Sequence, residues 1–145
     1  MSKPEQTNFN QTDVNERKPL TIRLSYIPEL IPQIPAAIDY ILSKLNFLPA
    51  EKINITEQLN SGPICLRDQD GNSLIFEISE LKDKQDIKYL IVHTTDCLRD
   101  YHKYTIAGVE FINRPEYTEA GLQVDFIDNR DNRYTLLEER IYTDY

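Results

Sequence analysis

The run of residues 87–142, IKYLIVHTTDCLRDYHKYTIAGVEFINRPEYTEAGLQVDFIDNRDNRYTLLEERIY, leaves few folds open, because it reads as one complete strand–helix–strand–strand–strand unit. Residues 89–94 are β-branched and aromatic, which suits a pleated, half-buried strand. Thr95 or Asp96 can cap the following helix by accepting a hydrogen bond from a free first-turn amide, and Gly108 can take the left-handed conformation past its end. Cys97, Tyr101 and Tyr104 recur on one face, which predicts a helix lying on a sheet. Strand-like runs follow at 109–113, 122–127 and 134–138, separated by turn-prone RPEYTEAG and DNRDN.

The earlier chain reads as a worn copy of this unit. Residues 20–26, LTIRLSY, alternate as a strand does, with Ile22 and Leu24 on one face and Thr21, Arg23 and Ser25 on the other. Three Ile-Pro pairs follow in IPELIPQIP; they remove amides and restrict the residue before each proline, so a rigid irregular connector is expected. Pro35 opens a helix in which Ile38, Ile41, Leu42 and Leu45 keep i, i+3, i+4, i+7 spacing, and Asn46 is its expected left-handed exit. Strands are expected at 52–57, 63–67 and 73–79, the last two joined by the tight-turn sequence DQDGN. Laying LRDQDGNSLIFE over FIDNRDNRYTLLE puts Asp68 on Asp128 and Asn72 on Asn132 at an offset of about 60, and the helix exits Asn46–Phe47 and Gly108–Val109 match at nearly the same offset. Internal duplication is the economical explanation. It divides the chain into a tail (1–19), module one (20–80), a charged linker (81–86) and module two (87–142), the modules forming a single domain (20–145).

This order and three of its pieces resemble the vicinal-oxygen-chelate superfamily of glyoxalase I, extradiol dioxygenases and the fosfomycin and bleomycin resistance proteins. The pieces are TTDCLRDYHKY, AGVEF and FIDNRDNRYTLLE, the last similar to that superfamily's F-x-D-P-D-G-N-x-x-E-L hairpin. The resemblance implies an α+β fold: tandem β-α-β-β-β modules forming a U-shaped, partly closed mixed sheet, with helices outside and ligands in the cup. It also implies a homodimer, since members often complete their sites by pairing modules between chains.

Charge narrows the partners. The tail holds three basic and three acidic residues, so the formal net charge of −8 belongs to residues 20–145. A basic stripe for phosphates is absent, which argues against nucleic acid and against an anionic membrane surface. The opening residues lack the apolar middle of a secretory signal, and Cys65 and Cys97 make no disulfide framework; a cytoplasmic protein is expected. Cys97, on the apolar stripe, reads as a core cysteine rather than a nucleophile.

In the superfamily's metal enzymes, the first and fourth strands of each module point His and Glu into the cup to hold a divalent ion, atoms suited to zinc, nickel, iron or manganese. Carried across, the first-strand histidine position of module two is Tyr89 and the glutamate position is Thr135. In module one the fourth-strand position is Ile75, with Glu77 two residues on, while the first strand offers Thr21, Arg23 or Ser25. No metal set survives and no cofactor is implied. The resemblance then points away from an enzyme and towards a metal-free binding member. Tyr89, Thr135, Glu77, His93 and Arg23 would hold a small organic ligand against an apolar wall of Ile75, Ile91 and Leu137. Two readings compete: a lyase, isomerase or dioxygenase with an atypical metal set around Glu77 and His93, and an interaction domain whose cup is filled by its own side chains, Tyr89 being the plug. His102 and the carboxylates Glu138–Glu139 and Asp128–Asp131 are expected to be solvated charge.

Overall fold

The computed structural model describes residues 20–47, 57, 61–82 and 87–140. In chain order they form β1 (Leu20–Tyr26), a 3-10 helix (Pro28–Gln33), α1 (Ile34–Lys44), β2 (Ile64–Arg67) and β3 (Ser73–Glu80). Then follow β4 (Leu90–His93), α2 (Cys97–Ile106), β5 (Glu110–Phe111), β6 (Glu116–Tyr117), β7 (Gly121–Ile127) and β8 (Arg133–Glu139). The tail at 1–19 and the strand expected at 52–57, apart from Glu57, lie outside the described residues, as do linker residues 83–86.

Two local expectations need correction. The Ile-Pro connector is a regular 3-10 helix: one proline stands in its first turn, where no amide partner is needed, and Pro32 is carried inside the short helix. The stretch RPEYTEAG contains the strand β6, which pairs Glu116 with Gln123 and Tyr117 with Leu122. Two residues are too few to leave an alternating pattern.

All eight strands join one open mixed sheet in the order β2–β3–β1–β4–β8–β7–β5, with β6 also on β7. The antiparallel pair β1–β4 is a seam between two halves. On one side β1 runs parallel to β3, which pairs antiparallel with β2; on the other β4 runs parallel to β8, which pairs antiparallel with β7. The registers repeat as well. Cys65 faces Ile75 and Leu66 faces Leu74, as Asp125 faces Thr135 and Phe126 faces Tyr134, each at an offset of 60. Leu20 faces Leu74 as Leu90 faces Tyr134, so the first strands are related by an offset of 70. Arg23 and His93, equivalent under that offset, are also each other's partners across the seam. The approximate twofold therefore passes between them.

The halves repeat one another bond for bond at two turns. Asp68 Oδ1 accepts from the amides of Asp70 (3.0 Å) and Asn72 (2.9 Å) while Oδ2 accepts from Asn72 Nδ2 (3.0 Å). Asp128 does the same with Arg130 (2.8 Å), Asn132 (2.9 Å) and Asn132 Nδ2 (3.0 Å). At the helix exits, Phe47 N donates to Leu42 O and Val109 N to Tyr104 O, each at 2.9 Å, with Asn46 (φ 56°) and Gly108 (φ 94°) left-handed. This six-to-one closure satisfies carbonyls that a helix end leaves free. At the other end of α2, Asp96 Oδ1 accepts from Arg99 N at 3.0 Å, the cap expected there.

One sheet face is covered by the helices. Ile22, Leu24, Leu74, Phe76, Leu90, Val92, Val124 and Leu136 from the strands are buried in one cluster with Ile38, Ile41 and Leu42 of α1 and Cys97 and Tyr104 of α2. Half two adds an aromatic stack in which Phe126 lies flat on Tyr134 at 4.6 Å, and Tyr40 of α1 reaches across the seam to stack on Tyr134 at 6.1 Å. Lys44 Nζ donates to Ala107 O at 3.4 Å, tying the two helix ends together. Cys97 is wholly buried; burial and then the neighbouring Glu138 push its thiol up to about 11, so it is an inert core residue. No helix among the described residues is long and apolar enough to cross a membrane.

Candidate functional site

Strand alternation sends every second residue to the face without helices, and the registers line these residues up in rows. One row, crossing the seam, reads Glu77, Arg23, His93, Leu137, Gln123. The next reads Ser79, Ser25, Ile91, Thr135, Asp125. Ile75 lies beside Thr21 in a third row. Seven of the eight expected site residues thus share one surface, and Tyr89 sits one residue before β4 with Arg133 over its ring at 6.0 Å.

The seam binds its own polar groups. Ser25 is wholly buried, and its hydroxyl lies 2.7 Å from His93 Nε2 and 2.9 Å from Ser79 Oγ. Burial, reinforced by the Arg23 charge, lowers the pKa of His93, with Glu139 and Glu77 pulling weakly the other way. A neutral imidazole results at pH 7. Arg23 and Glu77 form an exposed ion pair at 4.0 Å. Glu77 and His93 are thereby separated by β1 and each has a protein partner. No group of three or more His, Cys, Asp or Glu among the described residues is arranged to hold a metal ion.

One cavity opens on this surface and a second lies at the edge of the sheet beside α2. The smaller, about 290 Å³, lies in half two and is lined by Tyr89, Ile91, Thr135 and Leu137 together with Gln123 and Asp125. Ile91 and Leu137 are nearly inaccessible at 6% and 7% and form its apolar part. Thr135 Oγ1 donates to Asp125 Oδ1 at 2.7 Å, Asn113 Nδ2 donates to Asp125 Oδ2 at 3.0 Å, and Thr118 Oγ1 lies 3.1 Å from Gln123 Oε1. The larger cavity, about 620 Å³, sits where β4 ends and the chain turns into α2, with Arg23, His93, Thr94, Lys103 and Glu139 in its lining. Ile75 and Glu77 line neither. Gln123 and Asp125 are the additions to the expected set. Their signal was present in LQVDFI, where they alternate with Leu122, Val124 and Phe126.

Two carboxylates expected in solvent have structural roles instead. Asp128 is only 6% exposed and accepts a hydrogen bond from Tyr134 Oη at 2.6 Å besides closing its turn. Burial alone would raise its pKa, but the bonds from Tyr134, Arg130 and Asn132 outweigh it and hold it below the usual value. Glu138 accepts from the Cys97 amide at 2.9 Å and from Arg140 at 2.7 Å, and the amide bond leads in lowering its pKa. Spacing along a turn does not reveal which carboxylate meets a buried donor. His102 is exposed.

No family model and no curated protein sequence matches the chain. Among solved structures, the chain is similar to a member of the glyoxalase/bleomycin resistance protein/dioxygenase superfamily from Sphaerobacter thermophilus (TM-score 0.35, 16% identity, covering 82% of this chain and 94% of that one). It is similar also to a glyoxalase/bleomycin resistance protein/dioxygenase from Nocardioides (0.36, 12%, 82% and 81%) and to UcmS2 (0.41, 13%, 84% and 98%). The fold assignment rests on the strand pairing above: half two runs β-α-β-β-β with the short β6 added, and half one runs β-α-β-β among the described residues, an α+β arrangement consistent with the one that the sequence resemblance implies.

Proposed function

We propose that the chain is a metal-free, small-molecule-binding member of the vicinal-oxygen-chelate superfamily, holding its ligand on the helix-free face of half two. The observation that carries this reading is the 290 Å³ cavity, which joins a buried apolar floor, Ile91 and Leu137, to a few fixed polar groups, Thr135, Asp125 and Gln123. That composition is the one small-molecule pockets use: apolar area for affinity, sparse polar groups for orientation. Tyr89 forms part of the wall, and Arg23, Glu77 and His93 act beside the site along the seam. A binding role without conversion fits these groups, since the imidazole on this face is already bonded to Ser25.

Calorimetric titration of metal-stripped protein with nickel, zinc, cobalt and manganese is expected to find no site tighter than roughly millimolar. Stoichiometric micromolar binding, lost together in Glu77→Ala and His93→Ala, would replace this reading with a metal enzyme. Cytoplasmic location and a homodimer are parts of the same proposal; light scattering that gives only a mass near 17.0 kDa would remove the dimer.

A further inference from the structure

We propose that the 290 Å³ cavity selects organic cations, specifically a primary amine on a small apolar or aromatic body, with the ammonium group seated on Asp125. This rests on the reading of that cavity as a ligand site.

Asp125 is held on every side by neutral groups. Its two oxygens accept from a threonine hydroxyl and an asparagine amide, and its own backbone amide donates to Asn113 Oδ1 at 2.8 Å. These partners are neutral, so they fix the carboxylate's direction without compensating its charge. No ion pair to Asp125 exists among the described residues. Lys88, an exposed residue of the same lining, makes none with it. Each carboxylate oxygen keeps a second acceptor site. A half-buried anion beside the apolar Ile91 and Leu137 is poorly solvated, and a ligand cation there gains more than it would at an open surface. The repeat does not require this residue: the equivalent position in half one is Cys65, with the same strand register. Tyr89 gives the lining an aromatic ring against which an amine's carbon body can pack. The cavity lies at the small end of the ligand-pocket range, which restricts the body to about one ring. The net charge of −8 favours approach of cations.

The test is a methyl-detected NMR titration of the full chain at low salt with phenethylamine, 2-phenylethanol and 3-phenylpropionate, following Ile91 and Leu137. Phenethylamine is expected to shift these methyls and to bind about tenfold or more tighter than the alcohol, with the carboxylate weakest. Asp125→Asn, which keeps the shape and removes the charge, is expected to bring the amine down to the alcohol's affinity; its thermal midpoint shows whether it is folded, and if it is not, the wild-type amine-to-alcohol ratio decides alone. Equal affinity for amine and alcohol with shifts at Ile91 and Leu137 would overturn the cation class and leave the cavity reading standing. No shift at either methyl with any of the three would overturn both.

Discussion

The two halves of the sheet share the register of their inner strands and differ in what they present to solvent. Under the repeat, Ile75, Glu77 and Cys65 of half one stand where half two has Thr135, Leu137 and Asp125. Half one closes on itself: Glu77 pairs with Arg23, and Ser79 with Ser25. Half two leaves a cavity with a carboxylate that meets only neutral donors. The same turn also carries different weight on the two sides. Asp68 closes its turn with its carboxylate in solvent, whereas Asp128 is itself buried and takes a tyrosine hydroxyl as well, because Leu74 in half one is Tyr134 in half two. Repeated backbone geometry therefore survives on local bonds, while each half has been free to specialise the residues between them.

The largest test of this contrast is Asp128→Ala. It removes the turn bonds and leaves the buried Tyr134 hydroxyl unpaired, so urea unfolding is expected to show a loss of about 4 kcal/mol. Asp68→Ala removes the same turn bonds without orphaning a buried group, and its cost is expected to be clearly smaller; equal costs would break the comparison. Next comes Gly121, at φ 142°, where an added Cβ would collide with Glu138 O and stand 2.8 Å from Arg140 N. Sixty residues earlier half one has Ser61, in a turn before β2. Gly121→Ser is nonetheless expected to cost about 3 kcal/mol, because the clash is with backbone of the paired strand. Tyr134→Phe should cost less, about 1.5 kcal/mol, as it deletes one bond to a carboxylate that keeps its others.

The smallest effect is a pH dependence at the seam. The folded pKa of His93 lies below its ordinary 6.5, so the unfolded chain binds more protons as pH falls. Stability is expected to be full above pH 6.5 and to decline as pH drops through 6.5 towards the folded value. Thermal melts at pH 7.5 and 5.5 should separate more for the wild type than for His93→Gln. An unchanged difference would place the titrating group elsewhere.

The contrast also explains what the sequence could disclose. Helix exits and tight turns were legible because Asn46, Gly108, Asp68 and Asp128 act through their own neighbours, within a few residues. The shared face of Arg23, Glu77, His93, Ile91, Thr135 and Leu137 was legible because strand alternation has period two. Long-range choices were not. That Tyr134 would bury its hydroxyl on Asp128, or that Arg23 would take Glu77 while Asp125 took only neutral donors, depends on register between strands distant in sequence. The eight extra residues in half one, read from offsets of 70 at the first strands and 62 at the helix exits, fall where the 3-10 helix lengthens the connection into α1.

The most direct measurement of the central claim, that half two and not half one carries the ligand site, is a methyl-NMR screen of the metal-stripped chain against small uncharged and charged aromatic fragments. Ile91 and Leu137, in the cavity, are compared with Ile75, the counterpart of Thr135 on the other half. Saturable shifts at Ile91 and Leu137 are expected, with Ile75 unmoved. Saturable shifts centred on Ile75, or none at any of the three across the screen, would contradict it.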